Sequence, residues 1–193
     1  MEGRGVKNFL VCGLVREEGT MVEREVVLGE AAIAARVREL GERIRRDYAG
    51  RPLVLVGILN GAFIFTADLA RAIDLPLEVD FIRVASYGSG TSSSGSVRLT
   101  KDIELAIGGK EVLLVEDIVD TGRTIAALTG MLMARGPASL RICALIDKRE
   151  RREVAVTVDY AGFTVAEGFL VGYGLDCAEQ YRNLPAVYRL LNP

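Results

Sequence analysis

The 193-residue chain contains no histidine and no tryptophan. Without histidine, catalysis by Cys-His or Ser-His-Asp groups and metal sites with histidine ligands are excluded. The three cysteines, Cys12, Cys143 and Cys177, are widely separated and lack metal-ligand spacing, which predicts reduced thiols in a cytoplasmic protein. No apolar run reaches the roughly 18 residues of a membrane span, and the N-terminus lacks the pattern of a signal peptide. We therefore expect no membrane association.

A strong charge of either sign is also missing, because the net charge is only −2 while half of the residues are apolar. Basic residues are scattered among acidic ones, so the chain lacks the large basic field that nucleic-acid binding usually needs. A chain of this length can bury a substantial core as one domain. The composition therefore predicts a single globular domain and disfavours nucleic acid as a partner.

Apolar patterns predict alternating helices and strands along the first three quarters of the chain. Apolar residues recur at helical spacing within 29–48, at Ile33, Val37, Leu40 and Ile44. Continuous apolar runs predict strands at 52–59, 76–84, 111–117 and 139–146, and two further helices are predicted at 62–73 and 124–135. Strands that are apolar throughout and alternate with helices are typical of a mainly parallel central sheet flanked by helices. The predicted fold class is therefore α/β.

Three segments depart from this alternation. Residues 85–102 are rich in Ser and Gly, and their composition favours a surface loop, although their position after a strand also allows a lid over an active site. From about 154 to 185, short β-like pieces such as VAVTV predict a small C-terminal subdomain. Residues 1–22 are an extension that the sequence assigns neither to a strand nor to a tail, so the domain is expected to span 23–193.

The stretch VLLVEDIVDTGRTIAAL, at 112–128, places Glu116, Asp117 and Asp120 between a buried strand and a helix. Burying a charge is costly, and ligands of an open parallel sheet bind beyond the carboxyl ends of its strands. The backbone N–H groups of 121–124, with two threonine hydroxyls, would bind an anion of the size of a phosphate. Carboxylates suit sugar hydroxyls or hydrated Mg²⁺. The pattern predicts a sugar phosphate, although Asp120 taken alone could equally be a helix N-cap.

Other phosphate-binding motifs are absent, since the chain has neither GxxxxGK[ST] nor GxGxxG between a strand and a helix. VLLVEDIVDTGRT instead resembles the phosphoribosyl diphosphate signature of the type I phosphoribosyltransferases. The flanking segments VGILNGAFIFTADL, SYGSGT, ALIDKR and FLVGYGLDCAEQYRNLP are similar to the hypoxanthine-guanine branch. The resemblance runs from about residue 24 to residue 191. It implies the type I phosphoribosyltransferase fold, with a small C-terminal hood subdomain.

The resemblance also implies a role for each matching position. Asp120 would act at N7 of the purine, as general base or as a hydrogen-bond partner. Glu116 and Asp117 would hold the ribose hydroxyls and, with Asp176, bind Mg²⁺. The remaining phosphoribosyl diphosphate contacts would be Asp120, Thr121, Gly122, Arg123 and Thr124 at the 5′-phosphate, and Leu59, Asn60, Gly61, Ser86, Tyr87 and Arg182 at the pyrophosphate. The purine would be bound by Lys148, Phe169, Leu170 and Asp176.

Several of these positions have a plainer interpretation when the resemblance is set aside. Lys148 and Arg182 would be solvated charges, Asp176 a turn residue and Phe169 part of the core. The family also carries a non-proline cis peptide after the residue that matches Leu59. Asn60 departs from the Lys or Arg of many relatives, which removes a charge from the pyrophosphate loop.

The expected function is purine salvage by Mg²⁺-dependent transfer of the 5-phosphoribosyl group from phosphoribosyl diphosphate to hypoxanthine and/or guanine, giving IMP or GMP and pyrophosphate. By resemblance, the enzyme would be a homo-oligomer. Alternatives are a type I transferase for xanthine, adenine or orotate, and a regulator of this fold that binds RNA or nucleotides. Lys148 and the FLVGYGLD segment favour a 6-oxopurine over the other bases. The net charge and the intact Asp120 argue against a regulator.

Overall fold

The computed structural model describes residues 23–86 and 97–191. Within these ranges the helices are α1 (Glu30–Asp47), α2 (Phe63–Ala72) and α3 (Arg123–Met133). The strands are β1 (Arg24–Leu28), β2 (Leu53–Leu59), β3 (Leu77–Ser86), β4 (Val97–Lys101), β5 (Glu111–Val119), β6 (Ser139–Asp147), β7 (Tyr160–Thr164), β8 (Phe169–Val171) and β9 (Val187–Leu190). The helices and strands predicted between residues 29 and 146 are present, with ends shifted by one or two residues in most cases.

The larger sheet has six strands in the order β4-β3-β2-β5-β6-β7. β2, β3, β5, β6 and β7 are parallel, whereas β4 pairs antiparallel with β3 at one edge. The predicted α/β fold with a mainly parallel sheet is therefore confirmed. Because β2 and β5 are central and parallel, their carboxyl ends lie side by side at one edge of the sheet.

Alternate residues of the central strands enter two separate hydrophobic cores. In β2, Leu53 and Leu55 pack with the apolar stripe of α1 and with α2, whereas Val54 and Val56 pack with α3 on the opposite face. Burial of each such side chain contributes about 1.5–3 kcal/mol relative to exposure. Helices on both faces explain why the strands are apolar throughout.

The smaller sheet has three antiparallel strands in the order β1-β9-β8. It combines a strand at the start of the described chain with two near its end, so it extends beyond the predicted subdomain of 154–185 on both sides. The VAVTV piece, at 154–158, is not a strand, and β7 joins the larger sheet instead. β1 was not predicted, because its partner β9 lies far away in sequence.

Other expectations need correction or fall outside the described residues. Residues 97–101 of the predicted loop form β4, while Tyr87 and the extension at 1–22 are outside the described part of the chain. Cys143 is a buried free thiol, but Cys177 is disulfide-bonded, so the expectation of reduced thiols is wrong for Cys177. In the part of the chain that is described, no helix has the length and apolar character needed to cross a membrane.

Candidate active site

The candidate site lies where β2, β5 and β6 end beside one another. β2 is followed by Asn60, β5 by Asp120 and β6 by Lys148. The ladder between β5 and β6 extends to the last residue of each, where Val119 pairs with Asp147. The segments that follow these three strands therefore begin from one edge of the sheet, as predicted for a ligand site of an open parallel sheet.

Glu116 and Asp117 are buried near the end of β5, with 7% and 8% of their surfaces exposed. The Asp117 N–H donates to Glu116 Oε1 at 3.1 Å, and the Ile118 N–H donates to Asp117 Oδ1 at 2.8 Å. Burial and the neighbouring Asp117 charge raise the pKa of Glu116 well above its ordinary value. Burial also raises the pKa of Asp117, and hydrogen bonds with Glu116 and the Ile118 N–H, followed by the charge of Arg182, offset this only in part. The pair therefore favours a ligand that brings hydroxyl donors or a cation.

Gly61 brings the loop after β2 against Asp117. A Cβ atom at Gly61 would overlap Asp117 Oδ2, so a side chain larger than hydrogen cannot be placed there without movement. The carbonyl oxygen of Gly61 is in turn in close contact with Gly174, which has a φ of 102°. The peptide between Leu59 and Asn60 is cis, as the resemblance implies. The predicted pyrophosphate loop thus contacts both the paired acids and the 172–184 segment.

The turn after β5 leads directly into α3. Gly122 is the N-cap residue in the left-handed conformation, with a φ of 82°, and no side chain caps the helix. A Cβ at Gly122 would lie 2.5 Å from the carbonyl oxygen of Val154. The Arg123 N–H donates to Thr121 Oγ1 at 3.4 Å. Because the first N–H groups of a helix lack intrahelical acceptors, the start of α3 can bind an anion.

Asp120 precedes this turn and carries a carboxylate oxygen without a partner. Its Oδ1 is buried and accepts no hydrogen bond from the described residues. Its Oδ2 lies 3.5 Å from Arg151 Nη1, and Arg151 is itself mostly exposed. The N-cap alternative for Asp120 is wrong, because Gly122 occupies that position. A buried acceptor without a donor in the protein is suited to a donor on a ligand.

Lys148 and Phe169 are brought close together. Lys148 is buried, with 7% of its surface exposed, so its interpretation as a solvated charge is wrong. Its Nζ donates to the carbonyl oxygen of Gly168 at 3.1 Å, next to the half-buried Phe169 at the start of β8. Leu170 follows in β8 and is buried. The structure thus places an ammonium group against the backbone of the residue that precedes the half-buried Phe169.

Asp176 and Arg182 pair with each other. Arg182 Nη2 lies 2.8 Å from Asp176 Oδ1, and the Glu179 N–H donates to Asp176 Oδ2 at 2.9 Å. Arg182 Nη1 also donates to the carbonyl oxygen of Gly174 at 2.8 Å. The non-glycine residues with positive φ in the described chain all fall in this stretch, and they are Tyr173, Ala178, Glu179 and Tyr181. Such strained backbone often accompanies functional loops.

Sequence reasoning missed Arg152 and Asp147. The charged run DKRERR, at 147–152, gave the impression of a solvated surface, but Asp147 is only 1% exposed. Arg149 and Arg152 donate to its two carboxylate oxygens at 2.8 and 2.6 Å. Although burial alone would raise the pKa of Asp147, these bonds lower it. The available signal was the acid at the end of an apolar strand, the same signal that revealed Glu116 and Asp117.

Glu116 and Asp117 suit a Mg²⁺ ion that is also coordinated by a bound ligand. Among the described residues, no three potential ligands are grouped as a preformed metal site. Glu116 and Asp117 nevertheless form a buried pair whose ionisation is opposed by burial, and a cation would relieve this. Mg²⁺ is commonly held by one or two carboxylates together with substrate phosphates and water. The donor set here therefore suits an ion that arrives with a phosphorylated substrate.

Comparison with known proteins agrees with this geometry and defines the class of protein. The family described as "Phosphoribosyl transferase domain" matches residues 26–178. The chain therefore belongs to the phosphoribosyltransferase domain family, with the type I fold.

Similar proteins place the chain in one branch of this family. It is 48% identical to the hypoxanthine phosphoribosyltransferase of Salmonella typhimurium over 86% of this chain and 95% of that protein. It is also 48% identical to the hypoxanthine-guanine phosphoribosyltransferase of Aquifex aeolicus, over 85% and 93%. The crystal structure of a hypoxanthine phosphoribosyltransferase from Staphylococcus aureus superposes with a TM-score of 0.83 at 44% identity, covering 86% of this chain and 90% of that one. The family predicted from the signature and its flanks is thus confirmed, and it is a family of purine salvage enzymes.

Proposed function

We propose that the protein transfers the 5-phosphoribosyl group from phosphoribosyl diphosphate to hypoxanthine, guanine or both, giving IMP or GMP and pyrophosphate. In this reaction the bond from C1′ to the pyrophosphate oxygen breaks, a bond from C1′ to the purine nitrogen forms, and the purine loses a proton. The observation that carries the proposal is the buried Asp120 Oδ1, which lacks a donor among the described residues. Its position beside a helix N-terminus suits a purine next to a ribose 5′-phosphate.

On the purine side, Asp120 and Lys148 would recognise the two features that hypoxanthine and guanine share. Asp120 Oδ1 would accept the hydrogen bond at N7 and hold the proton as the glycosidic bond forms. Lys148 Nζ would donate to the 6-oxo group, and its bond to the Gly168 carbonyl keeps it near the start of β8. Phe169 would stack on the base, and the backbone of Leu170 would contact its edge. An amino group at position 6 cannot accept from an ammonium, so adenine is disfavoured.

On the phosphoribosyl side, the acids and loops would bind groups of matching chemistry. Glu116 and Asp117 would accept hydrogen bonds from the ribose hydroxyls, and the turn Thr121–Thr124 would hold the 5′-phosphate. The pyrophosphate would lie against Leu59, Asn60, Gly61, Ser86, Tyr87 and Arg182. Mg²⁺ held through Glu116, Asp117 and Asp176 would neutralise charge on the departing pyrophosphate. Since Asp176 pairs with Arg182, metal binding by Asp176 would require this ion pair to rearrange.

An absorbance assay tests the proposal with Mg²⁺, phosphoribosyl diphosphate, and hypoxanthine, guanine, xanthine or adenine supplied separately. We expect turnover of hypoxanthine or guanine, and a loss of about 10²-fold or more in kcat in Asp120→Asn. Asp74→Asn is the matched control, because Asp74 is an exposed acid outside the site. Turnover of adenine alone, or binding of nucleotide without turnover of any base, would contradict the proposal. The second result would favour a regulator that retains the signature for binding.

We also propose that the enzyme is a cytoplasmic homo-oligomer and that the β1-β9-β8 sheet acts as the hood over the purine. A hypoxanthine phosphoribosyltransferase of Trypanosoma cruzi, 41% identical to this chain, has been studied for the effect of its C-terminal region on oligomeric state. Sedimentation velocity of the purified protein tests the assembly, and a monomer at micromolar concentration would contradict it. Thiol titration of protein taken directly from cells tests the location, because a disulfide at Cys177 in that protein would contradict a reducing compartment.

A further inference from the structure

Arg152 binds the ends of two neighbouring strands at once. Its Nε donates to the carbonyl oxygen of Asp120 at 2.8 Å, and its Nη2 donates to that of Val119 at 3.1 Å. On the other strand, Nη2 donates to Asp147 Oδ1 at 2.6 Å and lies 3.3 Å from the carbonyl oxygen of Lys148. The guanidinium is therefore shared between the first residues beyond β5 and β6.

The position of Arg152 matters because the β5–β6 ladder ends at this point. Val119 and Asp147 are the last paired residues, and the Lys148 N–H, which donates to the Val119 carbonyl at 3.0 Å, is one further link. Beyond them the chain turns toward α3 on one side and toward β7 on the other. Asp120 and Lys148 are the residues that would meet N7 and the 6-oxo group. Arg152 thus joins the backbones of two residues whose separation must match the purine.

The 5′-phosphate turn has separate support that does not need the Arg152 side chain. The N–H groups of Glu153 and Val154 both donate to the carbonyl oxygen of Thr121 at 3.0 Å. Those are backbone bonds, so a substitution at residue 152 can leave them in place. The Arg152 side chain also lies near Gly122, but these backbone bonds hold the turn independently of it.

We propose that Arg152 is a positioning residue that sets the relative placement of Asp120 and Lys148, and with it the recognition of the 6-oxopurine. The inference rests on the proposed function of those two residues. Arg152 does not touch substrate; it acts through the two backbones. Its planar group of donors serves several acceptors in fixed directions, which a lysine ammonium on a flexible stem cannot do.

Comparison of Arg152→Lys with Arg149→Lys tests the proposal, because both arginines donate to Asp147 and both changes keep the charge. Arg149 is 74% exposed, and its Nε contacts Asp147 Oδ2. For Arg152→Lys we expect kcat/KM for hypoxanthine to fall about 10- to 100-fold, through a higher KM for hypoxanthine and a lower kcat. The KM for phosphoribosyl diphosphate should stay within about twofold, and Arg149→Lys should stay within about twofold in every constant. Thermal unfolding of each variant reports on the fold.

Other results of this comparison would overturn either the role proposed for Arg152 or the proposed function itself. Equal constants for the two variants would overturn the proposal, and so would an equal rise in both KM values, which indicates general loosening of the site. If the wild type turns over no base, the proposed function itself fails, which is a different result from an active wild type with a silent Arg152→Lys. Should Arg152→Lys not fold, the double variant Arg152→Lys/Asp147→Asn removes a buried charge that has lost one of its two arginine partners, and the same criteria apply to it.

Discussion

Two glutamates of the same strand, Glu111 and Glu116, show how the two ends of the sheet differ. Both lie in β5 and both are buried, with 8% and 7% of their surfaces exposed. Glu111 accepts hydrogen bonds from Ser139 and Arg51, and these lower its pKa despite burial. The pKa of Glu116 is raised by burial and by its neighbour Asp117. Since both glutamates are buried in the same strand, their hydrogen-bond partners and neighbouring charges decide whether the pKa falls or rises.

The polar groups near the two ends of the sheet differ in the same way, in whether the protein supplies their hydrogen-bond partners. Near the amino ends of the strands, the Tyr160 hydroxyl donates to Asp47 Oδ2 at 2.7 Å and accepts from Arg141 Nη1 at 3.0 Å. At the carboxyl ends, the described residues provide no donor for Asp120 Oδ1. Buried polar groups are normally satisfied within the protein. The hydroxyl of Tyr160 at the amino end follows this rule, whereas Asp120 at the carboxyl end keeps an acceptor available to a ligand.

Among the substitutions that compare the two ends, Gly61→Ala should have the largest effect, because it disturbs the carboxyl end directly. Because a Cβ there overlaps Asp117 Oδ2, the loop or the acid must move, and we expect kcat/KM for phosphoribosyl diphosphate to fall about 100-fold. Steady-state kinetics at saturating hypoxanthine provide the measurement.

Gly130→Ala in α3 is the matched control for that substitution. A Cβ at Gly130 meets nothing within 4 Å, so the change should leave activity intact and add up to about 1 kcal/mol of stability through helix propensity. Comparable losses of activity in the two variants would show that the clash at Gly61 is unimportant.

The second-largest effect should distinguish Glu116, which we expect to affect kinetics, from Glu111, which we expect to affect stability. Glu116→Gln should raise the KM for phosphoribosyl diphosphate about tenfold, because the group proposed to accept from the ribose becomes partly a donor. The free energy of unfolding should not fall, because a costly buried charge is removed. Glu111→Gln should leave kinetics unchanged and lower the free energy of unfolding by about 1–3 kcal/mol. Urea unfolding and kinetics on both variants test the contrast. Reversed roles would contradict the division between the two ends.

A smaller effect is expected for Tyr160→Phe at the amino end. The change removes the hydroxyl that bonds Asp47 and Arg141, and we expect a loss of about 1 kcal/mol in the free energy of unfolding. Activity should stay at the wild-type level, because the ring remains in the core. A fall in kcat without a fall in stability would mean that this end also takes part in function.

The smallest effect is a difference in pH dependence. The stabilising contribution of Glu116, whose pKa is raised, is full below its ordinary value of 4.5 and is lost as the pH rises through its folded-state pKa. The contribution of Glu111, whose pKa is lowered, is full above 4.5 and is lost as the pH falls. The stability of wild type relative to Glu116→Gln should therefore decline with rising pH, and relative to Glu111→Gln it should increase. Parallel curves from urea unfolding at several pH values would refute this.

The sequence predicted the parts of the fold that local patterns encode. The stripe Ile33, Val37, Leu40 and Ile44 predicted α1, and the apolar run before Glu116 predicted a buried strand, because both patterns follow from which face is buried. The location of the site at the strand ends followed from the acids and the glycine turn. The individual roles of those residues stay predictions until the enzyme is assayed.

What could not be predicted depends on partners distant in sequence. VAVTV alternates as a strand would, and Val156 and Val158 do pack on the core, but the segment does not join a sheet. β1 forms by pairing with β9 at the other end of the domain. Arg152 resembled a surface charge because nothing in DKRERR shows that four acceptors from two strands surround one of its arginines.

The pairing of β1 with β9 has a consequence for synthesis on the ribosome. The larger sheet uses strands from residue 53 to residue 164, so all of its strands are synthesised before the last strand of the smaller sheet. The smaller sheet needs Val187–Leu190 between β1 and β8, so it cannot form until these residues have left the exit tunnel. Since β8 carries Phe169 and Leu170, the nascent chain would complete the strands of the larger sheet before the wall that we propose for the purine. Premature termination near residue 185 would therefore produce a chain that has the strands of the larger sheet and lacks the proposed purine wall.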